Sequence, residues 1–573
     1  MSTTGSAAIL LFGLSMAQPG GVDFAPMPDF ERPFDYVAWS ETHGRSGAKN
    51  NAYAEYAKFM PDLVGADENA SGWPAFSGML TGGDREEGPI PWEPGEHEAW
   101  ERSYGRSKGV LGRVGEAARL KTFGVPTGQS GAAGDASNLL LRMKRPHLTL
   151  FRQAAEAGLE GAWRIEDGRV SASAIITAID TNLRAAGQLE QGIAIADHQA
   201  AIAIRRLTYE HIQWAFAHGV LGERDIMKLR KMLREIDGSP IDIRSAIRGD
   251  HATMMDALQY IFGPERAVEG MARLNSDRFR DVTGVARRTS RLALGARLTT
   301  DAAGTARAFD AMYRAIDAAM FPPYDTGHDS QIQNALNKAQ GFNQVTRAMA
   351  PGNWLHHYRS AMQCETHRRA MHTLVEFHAY KAKRGKWPPE LTTLGRKNLQ
   401  RIGPDPYCGR SLVYRMTDNG PMLYSVAQDG RDDGGAHDAQ WLGLPAGSDF
   451  VFWPLPNSSK LVAEVKLRRI QQSKVTAISD IGEGMEDREV TVVARVSGVE
   501  ARPSRKYGRR YNVTLSEGDA SILLYYFEDI AKQLSAKQVI EVGQTVRAIA
   551  VVTKSKNVLR LKLRDADYLV VEE

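Results

Sequence analysis

The spacing of apolar residues changes along the chain, and this change restricts the fold more than any single motif does. Between residues 137 and 349, apolar residues recur three or four positions apart, as Ile175, Ile179 and Leu183 do. Such spacing puts them on one face of an α-helix. Beyond residue 461 they instead alternate with polar residues, which is typical of strands with one buried face. The sequence therefore predicts a multidomain, mainly α protein with a C-terminal β domain.

Composition narrows the functional class without naming it. The chain has 573 residues, of which 43% are hydrophobic and 24% are charged, so it has enough apolar material for several domains of about 100–200 residues each. Its 72 Lys and Arg exceed its 68 Asp and Glu by only 4, which argues against a histone-like or tail-type nucleic-acid binder. Two cysteines, Cys364 and Cys408, leave open one disulfide bridge or two free thiols.

The first 17 residues have features of a cleavable signal peptide. Residues 7–17 form a short apolar run that ends in Ser15-Met16-Ala17, with small residues at the two positions that signal peptidase reads. We therefore expect cleavage before Gln18 and export to the periplasm or cell envelope. No Lys or Arg precedes Arg32, so a buried N-terminal element in a cytoplasmic protein is the alternative. The run is too short to span a bilayer, which takes about 20 residues, and no transmembrane anchor is predicted.

Residues 18–135 are rich in residues that interrupt regular structure. They hold 10 Pro and 19 Gly in 118 positions, which predicts a loop-rich, extended segment. Two islands, residues 34–63 and 96–121, look ordered. Aromatic residues in the first island favour a strap that lies on the helical body, and a flexible spacer is the alternative.

Residues 136–350 are predicted to form an α-helical body. Helices of roughly 14–28 residues with short connections favour antiparallel helical hairpins. Candidate helix ends are Gly219, Gly238 and Gly263. A helical repeat is inferred from these lengths alone, because no repeat of fixed length is apparent.

Residues 351–460 are expected to form a small α/β module. A long helix ends at Gly385, and the prolines that follow keep the chain extended. Strands over residues 411–416 and 422–426 flank Asn419-Gly420, which is a strong hairpin signal. An acidic, glycine-rich loop follows the second strand.

This module resembles the C-terminal region of major pseudopilins of the type II secretion system. Those proteins have a helix, a Gly-x-Tyr/Trp-Pro exit, an Asp-Pro-x-Gly turn, a Tyr-containing hairpin and a calcium-binding Tyr-Ser-x-x-x-Asp-Gly loop. The matching residues are Gly385, Trp387, Pro388, Asp405, Pro406, Gly409, Tyr414, Tyr424, Ser425, Asp429 and Gly430. Together with the preceding helical body, the module is also similar to a group of uncharacterised exported bacterial proteins. The resemblance implies a place in secretion-type assemblies and a bound Ca²⁺.

Four aspartates in the acidic loop are the candidate metal ligands. Ca²⁺ takes six to eight oxygen ligands, and Asp429, Asp432, Asp433 and Asp438 offer carboxylates on a glycine-rich backbone. Repulsion among the carboxylates favours a divalent cation, although their spacing does not match an EF-hand loop. A solvated acidic turn is the alternative.

Residues 461–573 are predicted to form a five-stranded β-barrel. The expected strands cover residues 489–499, 511–516, 521–527, 545–553 and 558–563. A short helix over residues 529–534 is expected between the third and fourth strands. This order resembles the oligonucleotide/oligosaccharide-binding (OB) fold. Short sequence segments, such as Tyr511-Asn-Val-Thr-Leu, resemble the anticodon-binding and single-strand-binding branch of that family.

A basic loop between the first two of these strands is the candidate nucleic-acid site. It carries Arg502, Arg505, Lys506, Arg509 and Arg510 around Tyr507. Cations suit a phosphate backbone, and an aromatic ring suits a stacked base. Further basic residues in the last hairpin are Lys554, Lys556, Arg560, Lys562 and Arg564. The alternative is a β-barrel that contacts protein and leaves a charged loop in solvent.

Two non-enzymatic functions rank ahead of an enzymatic one. No P-loop, Gly-x-Ser-x-Gly elbow, His-Glu-x-x-His motif or dinucleotide fingerprint appears. The first function is an exported envelope protein that offers binding or assembly surfaces to protein partners and is stabilised by Ca²⁺. The second is a single-stranded nucleic-acid-binding protein that acts through the OB-type domain. A hydrolase whose catalytic carboxylates show no motif comes third.

Histidines on the long helix are a weaker metal candidate. His367, His372 and His378 lie near Glu365 and Glu376, but the histidines are five and six positions apart. Neither spacing aligns two side chains on one helix face. The sequence therefore argues against a zinc site there.

Overall fold

The computed structural model describes most of the chain. The described residues are 23–30, 32–45, 47–58, 91–92, 98–126, 145–166, 169–262, 267–268, 271–272, 278–279, 301–320, 326–350, 353–417, 420–428, 430–432, 434–435, 437, 449–455, 474–486, 488–504, 508–535, 540–555, 557–563 and 569–572. The predicted signal peptide, residues 1–17, lies outside these ranges.

Helices dominate the described part of residues 136–350, as predicted, and three helices also occur in the N-terminal segment that was predicted to be loop-rich and extended. The helices are α1 (Tyr36–His43), α2 (Ala52–Ala57), α3 (Glu98–Ala117), α4 (Pro146–Ala162), α5 (Ala172–Leu189), α6 (Ile195–Ala217), α7 (Glu223–Ile236), α8 (Arg244–Phe262), α9 (Ala302–Ala319), α10 (Thr326–Phe342), α11 (Gln344–Met349), α12 (Trp354–Arg384), α13 (Arg396–Ile402) and α14 (Glu528–Ser535). Two short ladders between helices, β1 (Ile165–Glu166) with β2 (Arg169–Val170) and β3 (Ala267–Val268) with β4 (Met271–Ala272), were not predicted.

The helical part is held together by apolar faces at helical spacing. On α5, Ile175, Ile179 and Leu183 are fully buried, because their spacing of four residues keeps them on one side. Helix α6 packs against α5 and α12, α7 also packs against α12, and α8 packs against α9. The mainly helical architecture is therefore confirmed. Among the described helices, none is both long and apolar enough to cross a bilayer.

The described part of the N-terminal segment lies on this helical core. Phe30 packs edge-on against Phe262 of α8, with ring centroids 5.6 Å apart. The backbone N–H of Phe34 donates to Gln259 Oε1 at 2.7 Å, and Gln259 Nε2 donates to the Phe34 carbonyl at 3.0 Å. Tyr36 and Tyr56 are buried in the same hydrophobic cluster. Through these contacts, the described residues near Phe30 to Tyr36 and Tyr56 pack on the helical core.

Helix α12 joins the helical core to a small antiparallel sheet. It ends at Gly385, whose φ of 74° is the left-handed conformation that glycine adopts without strain. The sheet contains β5 (Val413–Thr417), β6 (Gly420–Ser425) and β7 (Phe450–Trp453), in that order. The hairpin of β5 and β6 lies where the sequence predicts it, whereas β7 was not predicted. Leu423 of β6 and Phe452 of β7 belong to the same hydrophobic cluster as the helices.

The C-terminal domain is a β-sheet of six strands with one helix, so the predicted count of five strands was one too few. The strands are β8 (Glu489–Ser504), β9 (Gly508–Glu517), β10 (Ala520–Phe527), β11 (Thr545–Ser555), β12 (Val558–Lys562) and β13 (Leu569–Glu572). The additional strand, β13, pairs with β11 at the sheet edge. Helix α14 lies between β10 and β11, at the predicted place.

The strand pairings of this domain lead from β8 through β9, β10, β12 and β11 back to β8. Antiparallel ladders join β8 to β9, β9 to β10, β8 to β11 and β11 to β12, and β10 pairs with β12 in parallel. Val492, Val513, Leu524 and Leu561 are fully buried on the inner side of these strands. They belong to a hydrophobic cluster that shares no residue with that of the helical part.

Candidate functional site

The outer face of β9, β10 and β12 gathers aromatic and basic side chains. Successive side chains of a strand point to opposite faces. On β10, Leu524 and Tyr526 are buried in the core, so Tyr525 and Phe527 lie on the outer face. The register places Tyr525 opposite Asn512 of β9 and Lys562 of β12.

Arg510 and Tyr525 form the centre of this face. Arg510 lies opposite Phe527 in the ladder, and its guanidinium carbon is 4.4 Å from the centroid of the Tyr525 ring. The rings of Tyr525 and Phe527 meet edge to face, with centroids 6.0 Å apart. A guanidinium over an aromatic ring is a cation–π contact that leaves the positive charge in place. The pair thus offers both a flat surface and a cation.

Other cations surround this pair. Arg560 of β12 lies opposite Leu523, and this pair is two residues along the strands from the pair of Tyr525 and Lys562. Burial and the charge of Arg560 lower the pKa of the Arg510 guanidinium. The like charges of Arg510 and Arg560 are thus held close together on a partly desolvated surface. A bound anion would relieve that repulsion.

Three polar atoms of the face are buried without a hydrogen-bond partner in the described part of the chain. They are Arg510 Nε, Arg560 Nε and Asn512 Oδ1. Asn512 is only 7% exposed, so its amide is positioned by the sheet and not by solvent. Two donors and one acceptor are therefore unpaired beneath this face.

The predicted basic loop contributes its two ends to this face. Arg502 of β8 lies opposite Arg510 in the ladder, and its Nε donates to Glu500 at 2.8 Å. The backbone N–H of Arg509 donates to Glu528 Oε2 at 3.1 Å. The predicted contacts Arg505, Lys506 and Tyr507 lie outside the described residues.

Sequence reasoning missed the aromatic half of the surface. Tyr525, Phe527 and Asn512 lie inside strands and not in the loop. The charge of the loop therefore does not indicate them. The alternation of β10, in which large residues occupy both faces at its end, is the signal that could have found them. Arg560 and Lys562 are basic residues of the last predicted hairpin, but their proximity to Arg510 depends on the parallel pairing of β10 with β12.

In the acidic loop, only Asp432 among the four predicted calcium ligands is described. Its Oδ1 accepts from the Tyr424 hydroxyl at 2.8 Å and from the Gly434 N–H at 3.0 Å. Its Oδ2 accepts from Arg415 at 2.7 Å. Asp429, Asp433 and Asp438 lie outside the described residues. Within the described ranges, no group of three or more His, Cys, Asp or Glu residues is placed to hold a metal ion, and the calcium site stays a prediction.

Both cysteines are free thiols in the structure. Cys364 is buried in α12, where its Sγ lies 3.8 Å from the Ile202 carbonyl oxygen. Cys408 is partly exposed in the segment between α13 and β5.

The histidines of α12 face different partners. His367 Nε2 lies 3.1 Å from Gln213 Oε1, and His372 Nε2 lies 3.0 Å from the Asp237 carbonyl oxygen. His378 stacks on Phe216, with ring centroids 3.9 Å apart. The three imidazoles therefore do not share one site.

Glu365 is the shared acceptor of a buried ionic cluster on α12. It is 1% exposed and accepts from Arg368 Nε at 2.8 Å, from Arg369 Nε at 2.6 Å and from the Ile241 N–H at 3.2 Å. Burial alone would raise the pKa of Glu365, but the two guanidiniums hold it below its usual range. These charges compensate one another inside the core, so we assign them a structural role.

Comparisons with known proteins do not place the chain in a family. No protein-family model, no curated protein and no solved structure matches it. The chemistry of the outer face is therefore the basis for a functional assignment.

Proposed function

We propose that the protein binds single-stranded nucleic acid through the outer face of its C-terminal domain. The observation that carries this proposal is the Arg510 guanidinium 4.4 Å from the centre of the Tyr525 ring, within a group of further cations. Non-specific single-strand binding combines a positive groove for the backbone with aromatic rings for the bases. Arg502, Arg560 and Lys562 supply the rest of the charge.

We further propose that this domain is an OB-type barrel. Strand pairing that returns from β12 through β11 to β8 supports the proposal, as does a helix between the third and fourth strands. In OB folds, oligonucleotides bind on the second and third strands and on the adjoining loops. Those strands here are β9 and β10, which carry Arg510 and Tyr525.

The polar atoms of the face suit such a ligand. Phosphate oxygens pair with guanidinium groups, and Arg510 and Arg560 each carry one on this face. The Tyr525 ring is an aromatic surface on which a base can stack. The surface therefore offers contacts to the backbone and to a base at the same place.

Salt dependence of binding tests the proposal. Fluorescence anisotropy of a labelled 20-nucleotide dT strand is measured with the full chain between 50 and 200 mM NaCl. Each phosphate neutralised in a single strand contributes about −0.7 to the slope of log K against log salt concentration. Because three or four cations face the ligand, we expect a slope of about −2 to −3. The Kd should then rise about 16- to 60-fold over this range.

A duplex of the same length is the control. Its bases are already stacked on one another, so it should bind more weakly than the single strand at every salt concentration. Absence of saturable binding at 50 mM NaCl, or a slope near zero, would contradict the proposal. Equal affinity for duplex and single strand would show that charge alone is recognised.

The role as an exported, calcium-stabilised envelope protein stays a prediction. The residues on which it depends, the signal peptide and three of the four aspartates, lie outside the described residues. Asp432, the described member, is engaged by Arg415 and Tyr424.

A further inference from the structure

Three arginines meet on one glutamate where α7, α12 and α13 adjoin. Glu376 of α12 is 4% exposed, and its Oε2 pairs with Arg230 Nη2 of α7 at 2.7 Å. Its Oε1 accepts from Arg230 Nε at 3.0 Å, from Arg234 Nη2 at 2.6 Å and from Arg401 Nη2 at 3.0 Å. Arg230 and Arg234 are four residues apart and therefore lie on one face of α7, whereas Arg401 comes from α13. We call these four side chains the arginine cluster.

The charges of the arginine cluster do not balance. Burial would raise the pKa of Glu376, but Arg230 and Arg234 hold it below its usual range, so the carboxylate is ionised at pH 7. Within the described ranges, these three guanidiniums pair with no second carboxylate, and two positive charges are left in excess. Burial and the charge of Arg234 lower the pKa of the Arg401 guanidinium, because like charges repel one another. An anion from solution would relieve this repulsion.

The guanidiniums keep donors that the cluster does not use. Besides Glu376, Arg234 Nη2 donates to Asn398 Oδ1 at 3.0 Å, and Arg401 Nη1 lies 3.1 Å from His372 Nδ1. Each guanidinium has five N–H donors, so several remain. The side chains of Arg230, Arg234 and Arg401 are 24%, 35% and 27% exposed. None of their nitrogens is among the described atoms that are buried without a partner, so the remaining donors are open to a dissolved ligand.

An exposed apolar side chain lies beside the arginine cluster. Met227 precedes Arg230 by three residues and Arg234 by seven, which places all three on one face of α7. Its side chain is 46% exposed, whereas Ile226, one residue earlier, is buried in the core. Methionine adapts its shape to what it contacts. The surface therefore combines excess positive charge with an apolar contact for the organic part of a ligand.

We propose that the arginine cluster binds a phosphomonoester group, with the organic part of the ligand on Met227. At pH 7 such a group carries about −1.5 to −2 charges and three acceptor oxygens, which matches the two excess positive charges. The planar fork of a guanidinium also fits the geometry of phosphate. The group belongs either to a free small molecule or to a phosphorylated side chain of a protein, and these two sources share the chemistry that the cluster recognises.

Isothermal titration calorimetry with phenyl phosphate tests this site on the full chain at neutral pH. Phenyl sulfate has nearly the same shape but one negative charge, and inorganic phosphate has the charge without the ring. We expect phenyl phosphate to bind about tenfold more tightly than phenyl sulfate. It should bind about threefold more tightly than inorganic phosphate, because its ring covers apolar surface at Met227.

A five-residue peptide with a central phosphotyrosine distinguishes the two sources of the ligand. It presents the same phosphorylated ring within a peptide chain. If the peptide binds more tightly than phenyl phosphate, the cluster recognises a phosphorylated side chain. If it binds equally or more weakly, the ligand is a small molecule. Both results support recognition of the phosphomonoester.

Variants of the cluster assign the contacts. Arg234→Gln and Arg401→Gln each remove one guanidinium and should weaken phenyl phosphate about tenfold. Glu376→Gln removes the competing carboxylate with little change of shape, so it should tighten binding about threefold or more. A purely structural ion cluster would not give that gain. Arg152→Gln, on the exposed side of α4, and Arg510→Ala, in the C-terminal domain, are controls and should bind as the parent does.

No saturable heat with phenyl phosphate up to about 10 mM would overturn the proposal, since even a Kd of about 1 mM would be detected. Equal affinity for phenyl phosphate and phenyl sulfate would also overturn it, as would binding that is lost in Arg510→Ala and unchanged in Arg234→Gln. If Glu376→Gln does not fold, Arg234→Gln still tests the site, because it leaves Glu376 with Arg230 and Arg401 as partners. The outcome is independent of nucleic-acid binding by the C-terminal domain.

Discussion

Replacing Glu365 with Ala is expected to lower the free energy of unfolding of the helical part by about 3–5 kcal/mol. The substitution removes the acceptor of two buried guanidiniums, those of Arg368 and Arg369, which are 2% and 6% exposed. Each would keep its charge in a core that water does not reach. The cost of an uncompensated buried charge exceeds the value of the ion pair itself.

The cluster extends beyond Glu365, so a small local rearrangement does not easily give the two guanidiniums a new partner. Arg368 NH1 also donates to the Asp237 carbonyl at 3.0 Å, and the Asp237 carboxylate is bound by Arg205 and by the Tyr209 hydroxyl. Burial alone would raise the pKa of Asp237, but Arg205, His372 and Arg368 hold it below its usual range. Disturbing Arg368 therefore also disturbs the contact between α12 and the end of α7.

Urea unfolding followed by tryptophan fluorescence measures this effect. All ten tryptophans occur at or before Trp453, so the signal reports the helical part and not the C-terminal domain. Glu235→Ala is the matched control, because Glu235 and its partner Lys231 are 58% and 78% exposed. Exposed pairs contribute about 0–1 kcal/mol. Equal unfolding midpoints for Glu365→Ala and Glu235→Ala would contradict the structural role of the cluster.

Replacing Tyr525 with Ala is expected to weaken single-strand binding about 5- to 150-fold. Stacking of one base on an aromatic side chain is worth about 1–3 kcal/mol. The substitution also removes the ring that holds the Arg510 guanidinium in place. Anisotropy with the labelled dT strand at 50 mM NaCl measures the change.

Two further variants separate stacking from charge. Tyr525→Phe keeps the ring and should bind within about threefold of the parent. Arg510→Ala should make the salt slope less steep by about 0.7, the value of one phosphate contact. Lys532→Ala, on α14 with a 77% exposed side chain, changes the net charge equally and should have little effect. Unchanged affinity of Tyr525→Ala would remove the aromatic part of the proposal.

The sequence predicts elements well where local signals agree. The end of α12 at Gly385 depends on a glycine that can adopt positive φ. The five expected strands of the C-terminal domain follow a two-residue alternation that is visible without partners. Strands β7 and β13 have four residues each, which is too short for such a pattern to stand out.

Long-range pairing explains what the sequence did not predict. Glu365, Arg368 and Arg369 are charged, yet they are buried, because Asp237 and Ile241 from another part of the chain complete their contacts. Likewise, Arg560 approaches Arg510 only through the pairing of β12 with β10. Of the predicted nucleic-acid residues, Arg502 and Arg510 do reach one face, but the rings beside them come from β10.

Photo-crosslinking of a 20-nucleotide dT strand that carries one 5-iodouracil to the full chain locates the bound strand most directly. Tryptic digestion leaves residues 511–532 as one peptide, because no Lys or Arg lies between Arg510 and Lys532. We expect the crosslink in this peptide, at Tyr525 or Phe527. Crosslinks confined to peptides of the helical part, or their absence under saturating conditions, would contradict binding through the outer face of the C-terminal domain.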